Sequence, residues 1–336
     1  MGFLSAISPV TFKKPLFCSI LGNTLLSTVP GISGAGPTPE KTLLTPILDA
    51  ELITFGTITS QPIKPNTPTG CPTPATITRA MMELTGLHPV FINSGLQNQP
   101  TVPCIDVYGD VGEDPRFRDA VPHARNLFRQ GELIGNFLSS YSDLLVLGEC
   151  VPGGTTTALC VLRALNYDAA VSSSFTNNPV TKKEEICLLA LKRISDDGVS
   201  LPLDIVTYTG DPMMPVAAGI ANTYAGHIIL AGGTQMLAVS AVIKAIGGPL
   251  PSIVTTTYVR DDPTANVVHL AKQIGIGISC VDPGFDDIGH PGLARYCIGE
   301  VKEGVGAGGA MCLAYLLGYS PEAIRSKILT TVNTYV

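Results

Sequence analysis

From about residue 200 onward, short apolar runs alternate with stretches that show helical periodicity. The apolar runs are residues 203–208, 227–231, 252–258 and 276–281, and the helical stretches are residues 212–224, 233–246, 264–274, 289–297, 306–317 and 321–332. Alternation of this kind is typical of βαβ units, in which each helix crosses the sheet and returns the chain to a parallel strand. It predicts an α/β fold, with a Rossmann-like, three-layer architecture and a mainly parallel sheet.

The first half of the chain shows the same two patterns, separated by longer loops. Predicted strands are residues 16–21, 88–93, 102–107 and 143–148, and predicted helices are residues 75–85 and 119–140. In the second of these helices Leu127, Phe128, Leu133, Ile134 and Phe137 recur at helical spacing, so we expect them on one face. No internal repeat or linker divides the sequence, and we predict a single α/β domain over residues 1–336.

The composition limits the surroundings in which such a domain works. Hydrophobic residues make up 45% and charged residues 14% of the chain, which suits a sheet buried on both faces and mildly favours a homo-oligomer. A net charge of −6 argues against nucleic acid as a partner. No uncharged apolar stretch reaches the roughly 18–20 residues of a membrane span. We therefore expect no membrane association.

The cysteines and histidines indicate a reduced compartment and no metal. The nine cysteines are scattered without a C-x-x-C pair, and the five histidines show no metal-ligand spacing. The first residues do not form a signal-peptide pattern. We predict a cytoplasmic protein without a metal site.

A glycine- and threonine-rich loop follows the predicted strand 143–148. It begins with Glu149 and ends with Gly153, Gly154, Thr155, Thr156 and Thr157, after which a helix starts. Strand, flexible loop and helix start form an arrangement that binds phosphate at a helix N-terminus. Because the loop lacks the lysine of a triphosphate-hydrolysing site, we expect it to hold a monophosphate through N–H and hydroxyl groups.

A second glycine-rich loop precedes the apolar run 311–317. Glu303 is followed by four glycines, which are Gly304, Gly306, Gly308 and Gly309. Glycine lets backbone N–H groups approach a ligand closely, and the following helix adds positive partial charge. The alternative is a turn with a solvated glutamate ahead of a core helix. The glycines also match the G-x-G-x-x-G dinucleotide pattern, but that pattern opens a βαβ unit, whereas here only one further helix follows.

Glu149 and Glu303 each adjoin a candidate anion-binding loop, and a parallel sheet can bring both to one edge. A third loop at that edge carries Gly232 and Gly233. Backbone groups that hold a phosphate, next to a carboxylate that accepts a proton, suit a transferase acting on a phosphorylated sugar. For Glu149 the alternative is a hydrogen bond that only braces its own loop.

At these loops the sequence resembles the nicotinate-nucleotide–dimethylbenzimidazole phosphoribosyltransferases of cobamide assembly, most of all their divergent archaeal and cyanobacterial branch. Residues 148–156 are similar to the family's G-E-M-G-I-G-N-T-T loop, and residues 301–307 to its R-L-G-E-G-T-G-A segment. Residues 31–42 resemble its G-V-S…V-T region, and Gly232-Gly233 its paired glycines. The four matches occur in the family's order.

The resemblance implies a parallel α/β domain, a small helical part built from about residues 1–30 and 305–336, and a homodimer. It implies a reaction without metal or cofactor, in which phosphoribose moves from nicotinate mononucleotide to a benzimidazole. The products are an α-ribazole phosphate and nicotinate. Two alternatives from other classes are a non-catalytic nucleotide sensor of the same fold and a dinucleotide-dependent oxidoreductase.

The resemblance also implies roles for individual residues. Glu303 is the general base, which accepts the ring N–H proton while the opposite ring nitrogen attacks the anomeric carbon, and Glu149 is a supporting carboxylate. The phosphate- and nucleotide-binding set is Gly153, Gly154, Thr155, Thr156, Thr157, Gly232, Gly233, Gly304 and Gly306, and the acceptor-base pocket contains Ser33 and Thr42. The family's loop asparagine is Gly154 here. Residues 37–45 do not align clearly, so the acceptor base could be a benzimidazole, adenine, another purine or a phenolic ring.

Overall fold

The computed structural model describes residues 2–5, 7, 9–36 and 38–335. Met1, Ala6, Ser8, Pro37 and Val336, which fall within the predicted domain range, lie outside the described residues. The strands are β1 (Pro15–Gly22), β2 (Val90–Gly95), β3 (Cys104–Asp106), β4 (Leu144–Cys150), β5 (His227–Ala231), β6 (Ser252–Thr256) and β7 (Ile278–Val281).

The helices lie between and after these strands, together with two short 3₁₀ turns at Leu25–Thr28 and Asn333–Tyr335. They are α1 (Pro39–Thr42), α2 (Thr45–Phe55), α3 (Pro74–Thr85), α4 (Ala124–Ser139), α5 (Gly154–Ala164), α6 (Val180–Asp196), α7 (Pro202–Thr209), α8 (Met213–Thr223), α9 (Thr234–Ala245), α10 (Thr257–Arg260), α11 (Val267–Ile274), α12 (Pro291–Ala294), α13 (Ala307–Leu316) and α14 (Pro321–Val332). No helix of the described chain is long and apolar enough to cross a membrane.

All pairings within the seven-stranded sheet are parallel, and the strand order is β3-β2-β1-β4-β5-β6-β7. The chain builds outward from β1 in one direction and then, from β4 onward, in the other. The carboxyl ends of β1 and β4 therefore form the switch point at which open α/β sheets bind their ligands. Glu149 is the next-to-last residue of β4 and lies at this point.

Side chains of the central strands alternate between two hydrophobic cores. Phe17 and Leu21 of β1 belong to the core under α2, α3, α13 and α14, whereas Cys18 and Ile20 belong to the core on the opposite face. The second core is covered by α4, α5, α6, α8 and α9. Because both faces of the sheet are covered, the α/β, three-layer prediction is confirmed.

The described parts of the two terminal segments lie in different layers of this fold. Within the first segment Pro15–Gly22 forms the central strand β1, and within the last Ala307–Leu316 and Pro321–Val332 form α13 and α14, which pack with α3. Near the termini the rings of Phe3 and Tyr315 lie 5.5 Å apart. The small helical part assigned to these segments stays a prediction.

Several details of the sequence-based assignment are wrong, among them the helix predicted over residues 289–297, of which only α12 (Pro291–Ala294) forms. Residues 203–208 form helix α7 and not a strand, because Pro202 occupies the first helical turn and Ile205, Val206 and Thr209 are buried at helical spacing. On α4 the side chains of Leu133 and Phe137 are exposed, so the predicted apolar face is narrower than expected. Helix α6, which the sequence analysis did not assign, follows β4 and α5.

Helices α4 and α8 approach closely through glycines. A Cβ atom at Gly219 would lie 2.0 Å from the carbonyl oxygen of Phe128, and one at Gly131 would lie 2.3 Å from that of Val216. Helical glycine normally costs stability relative to alanine, by about 1 kcal/mol. The close approach of α4 and α8 explains why glycine occupies both positions.

We predict that Gly219→Ala lowers the free energy of unfolding by about 2 kcal/mol, because the added methyl group must push α4 away. Gly277→Ala is the matched control, since a Cβ atom there meets nothing within 4 Å. The control should change the free energy by less than about 0.5 kcal/mol. Urea denaturation measures both, and equal stability of Gly219→Ala and the wild type would contradict the close contact.

Candidate functional site

A cleft of about 150 Å³ opens at the carboxyl edge of the sheet, beside the switch point. Side chains of Asp49, Glu149, Gln235 and Glu303 and the first turn of α5 line it, together with apolar side chains of Ile32, Pro74, Val151, Val301 and Val305. A smaller cavity of about 50 Å³ adjoins it and shares Glu149, Thr155, Ser174, Gln235 and Glu303 as walls. The structure therefore brings the two predicted carboxylates into one site.

The carboxylate of Glu149 is buried and held in a fixed orientation. Its Oε2 accepts hydrogen bonds from the Val151 amide at 3.0 Å and from the Gln235 side chain at 2.7 Å. Burial and then the charge of Asp211 raise the pKa of Glu149 to about 8, although these two hydrogen bonds lower it. The carboxyl group therefore carries a proton for much of the time at neutral pH.

Glu303 lies across the cleft and is held by backbone amides. Its Oε1 accepts from the Gly304 amide at 3.2 Å and from the Gly308 amide at 3.1 Å, and its Oε2 accepts from Gly308 at 3.2 Å. Burial raises the pKa of Glu303 to about 7, while the amide hydrogen bonds lower it. A carboxyl group poised near neutral pH can accept a proton and release it again.

The loop that carries Glu303 is fixed by residues of three other elements. The Val305 amide donates to the Glu149 carbonyl at 3.1 Å, the Thr78 hydroxyl donates to the Val305 carbonyl at 3.1 Å, and the Thr256 hydroxyl donates to the Lys302 carbonyl at 2.6 Å. Val305 has a φ angle of +48°, which is unusual for a β-branched residue. Its side chain is fully buried. The strained residue is therefore the joint between the two acidic loops.

Glycine is required at several positions of this loop for different reasons. A Cβ atom at Gly308 would lie 2.7 Å from Glu303 Oε2. Gly306 has a φ angle of +68° and packs against Gly148, Ala231 and Phe17, outside the cleft, whereas Gly304 lines the cleft. The dinucleotide pattern lacks its usual context, since α12 and a loop precede α13 where that pattern needs a strand.

The first turn of α5 forms the opposite wall. Gly153 has a φ angle of +82° and caps the helix, and it lines the cleft with Gly154 and Thr155. The hydroxyl of Thr156 is buried without a partner among the described residues. The hydroxyl of Thr157 donates to Asp211 at 2.7 Å, and the predicted binding residues Thr156 and Thr157 are buried and line neither cavity. The amides of Gly154 and Thr156 already donate to the carbonyls of Val151 and Gly153, so this helix start favours an anion mainly through its positive partial charge beside Thr155.

The absence of a side chain at Gly154 has a local cause. A Cβ atom there would lie 2.1 Å from Gln235 Nε2, the atom that donates to Glu149. Gln235 thus occupies the space that the asparagine of the resembling family would need. The structure explains this departure by a side chain that comes from α9.

The structure adds a buried lysine that the sequence analysis missed. Lys183 lies on α6, and its Nζ donates to the Thr155 hydroxyl at 3.0 Å and to the Ser172 carbonyl at 2.7 Å. Burial and the charge of Lys302 lower the pKa of Lys183 to about 7, while Asp262 raises it. In the sequence Lys183 belongs to a run of four charged residues at 182–185, which is typical of a solvated helix face. No sequence signal distinguishes Lys183 from its charged neighbours in this run.

A second lysine and an aspartate extend this group of charges. Lys302 Nζ donates to the Ser173 carbonyl at 2.7 Å and lies 3.3 Å from Asp262 Oδ2. Burial raises the pKa of Asp262, but hydrogen bonds from Ser172 and Thr264 outweigh it, so that the pKa lies below its usual range. The pair places a fixed charge couple next to the smaller cavity, which Lys302 lines.

The remaining predicted residues fall into two groups. Gly233 lines the smaller cavity, Gly232 lies beside Glu149, and Ser33 lines the main cleft. Thr42 does not line either cavity: it is buried on α1 and its hydroxyl donates to the Thr38 carbonyl at 3.1 Å. Within the described chain, no three His, Cys, Asp or Glu side chains are arranged to hold a metal ion.

The fold and the cleft define a doubly wound α/β protein with a cleft at its switch point. No protein-family model matches the chain. It is 42% identical over 326 residues to a UPF0284 protein of Methanosarcina acetivorans, with 94% of this chain and 93% of that protein covered. It is 43% identical over 321 residues to a UPF0284 protein of Thermococcus gammatolerans, with coverages of 94% and 96%. The chain therefore belongs to the UPF0284 family.

The fold is shared with a solved structure from Thermus thermophilus, described as a nicotinate-nucleotide-dimethylbenzimidazole phosphoribosyltransferase. The TM-score is 0.62 at 14% identity, with 96% of this chain and 84% of that chain covered. A structure described as CobT from the same organism gives a TM-score of 0.63 at 12% identity, with the same coverages. The resemblance found in the sequence is thus confirmed for the fold.

The raised pKa values of the buried carboxyl groups predict a pH-dependent stability. A carboxyl group that binds protons more tightly in the folded state stabilises the fold fully below its unfolded pKa, and this contribution is lost as pH rises through the folded pKa. For Glu149 that window runs from 4.5 to about 8.

We predict that Glu149→Gln flattens the fall in unfolding free energy between pH 5 and pH 8 by at least about 1 kcal/mol. Glu185→Gln, an exposed position on α6, is the control and should leave the fall unchanged. Urea titrations at the two pH values give the numbers. An identical pH dependence in Glu149→Gln and the wild type would show that Glu149 titrates normally.

Proposed function

We propose that this protein transfers phosphoribose from nicotinate mononucleotide to an aromatic nitrogen base and releases nicotinate. The observation that carries the proposal is Glu303, a carboxyl group with a pKa of about 7 in a cleft that the start of α5 also lines, with the buried Lys183 hydrogen-bonded to Thr155 of that helix start. The fold shared with the Thermus thermophilus protein supports it. By the same resemblance the protein works as a homodimer without metal or cofactor.

The 5′-phosphate binds at the start of α5. The hydroxyl of Thr155, which lines both cavities, supplies a donor, and the positive end of the helix favours the anion. Lys183, hydrogen-bonded to Thr155, supplies positive charge. A lysine whose pKa burial has lowered to about 7 becomes fully protonated beside a phosphate dianion. Binding of the phosphate therefore protonates Lys183, and the site gains its positive charge together with its ligand.

The transfer itself needs one proton acceptor. Glu303 takes the ring N–H proton of the acceptor base, while the opposite ring nitrogen forms a bond to the anomeric carbon. The bond from that carbon to the nicotinate nitrogen breaks, and its electron pair returns to the ring, which converts a pyridinium into neutral pyridine. Glu149, on the wall common to both cavities, hydrogen-bonds the ribose and keeps it oriented.

We predict that Glu303→Gln lowers the rate of nicotinate release by about 100-fold or more, since it removes the general base. Calorimetry should show that the variant still binds nicotinate mononucleotide. Glu185→Gln, far from the cleft, is the control and should release nicotinate at the wild-type rate. Turnover of Glu303→Gln at that same rate would disprove the assignment of the base.

The same assay separates transfer from binding alone. A panel of benzimidazoles, purines and phenols is offered with nicotinate mononucleotide, and nicotinate release is measured for each. Binding of the nucleotide without release under any base would contradict a transferase and indicate a nucleotide sensor.

Lys183 has its own test. We predict that Lys183→Met weakens binding of nicotinate mononucleotide at least about 10-fold but leaves binding of the unphosphorylated nicotinate riboside unchanged, because only the phosphate carries the negative charge that the buried ammonium group attracts from behind Thr155. Lys192→Met, at an exposed position on the same helix, is the matched control. Equal weakening for both ligands would show that Lys183 supports the fold rather than the phosphate.

A further inference from the structure

One acid in the cleft has no role in the transfer described above. Asp49 lies on α2, is only 9% exposed, and lines the main cleft but not the smaller cavity. Its Oδ2 accepts a weak hydrogen bond from the Cys150 thiol at 3.4 Å. Its Oδ1 receives no hydrogen bond from the described part of the chain and is not fully enclosed, which leaves it available to a ligand in the cleft that Asp49 lines.

A carboxyl group in this position is costly. The cleft that it lines carries the apolar side chains of Ile32, Pro74 and Val301 as well as several hydroxyl groups, and within the described residues no cation pairs with Asp49. Burial accordingly raises the pKa of Asp49 to about 7. A polar group retained in an apolar wall without a structural partner is well placed for a ligand.

The position of Asp49 within the cleft indicates which part of the substrates it contacts. Lys302 lines the smaller cavity and not the main cleft, and Lys183 lies behind Thr155, whereas Asp49, Ser33 and Pro74 line the main cleft and not the smaller cavity. The phosphate therefore occupies the side near α6, and the acceptor base occupies the side near α2. Glu303 lines both cavities and lies between the two.

We propose that Asp49 selects an acceptor base that carries a second hydrogen-bond donor, an amino or hydroxyl group, besides the ring N–H that Glu303 deprotonates. The inference rests on the proposed function, because it takes the cleft to hold that base. A base with only methyl substituents leaves the Asp49 oxygen unpaired in an apolar pocket. Sites built to hydrogen-bond an N–H or O–H group discriminate strongly against analogues that lack it.

The test compares bases that match in size. Calorimetry with 5-aminobenzimidazole, 5-hydroxybenzimidazole and 5-methylbenzimidazole gives the dissociation constants for the protein alone. We expect the amino or the hydroxy compound to bind at least about 10-fold more tightly than the methyl compound, the ratio that one net hydrogen bond supplies. Binding of all three with equal affinity, or of none, would overturn the inference.

Variants of Asp49 show whether this carboxyl group is responsible. Asp49→Leu should bring the ratio to within about 2-fold by weakening only the amino and hydroxy compounds. Asp49→Asn, which keeps an oxygen acceptor and nearly the same shape, should retain part of the preference. Asp196→Asn, on the exposed end of α6, is the control for the substitution and should leave the ratio unchanged. A wild-type ratio in Asp49→Leu would contradict the assignment.

Nicotinate release with the same bases distinguishes this inference from the proposed function. A binding preference that depends on Asp49, without release of nicotinate from any base, would leave base recognition intact and refute the transferase. Release at equal efficiency from all three bases, unaffected by Asp49→Leu, would support the transferase and refute the selection.

Discussion

The hydrogen bond from the Val305 amide to the Glu149 carbonyl is the contact on which the site depends. It joins loops from opposite halves of the chain and sets Glu303 across the cleft from Glu149. Val305 adopts a positive φ angle to make it, which costs on the order of 1–3 kcal/mol for such a residue. Burial of its side chain and the hydrogen bond from Thr78 offset that cost. The site is therefore assembled before any ligand arrives.

Around this joint the charges are divided between two sides. Burial raises the pKa values of Asp49, Glu149 and Glu303, so these groups hold protons near neutral pH more often than ordinary carboxylates do. On the other side Lys183 and Lys302 supply positive charge next to the start of α5. A substrate with an anion at one end and an exchangeable proton at the other matches this division.

Much of the fold could be predicted because the strands β4 to β7 are short and apolar and glycines mark the loops. The exception, residues 203–208, is rich in β-branched residues, and only the tertiary burial of Ile205 and Val206 shows that Pro202 starts a helix there.

The residues of the candidate site also differ in whether the sequence predicts them. Glu149 and Glu303 adjoin glycine loops and could be predicted from the sequence, whereas Lys183 lies in a charged run and Asp49 in an apolar one. Neither neighbourhood marks a site, since what matters is which side chains from distant segments meet. Thr42 shows the converse, because a motif that resembles a family need not face the cleft.

The residues at positions 154 and 235 depend on each other. The side-chain amide of Gln235 fills the space that any side chain at position 154 would enter, and it holds Glu149 from there. Neither position can change alone without loss: a larger residue at 154 expels the amide, and a smaller residue at 235 leaves Glu149 with one donor fewer. The two positions are therefore structurally coupled. A relative with a loop asparagine must orient its first glutamate in another way.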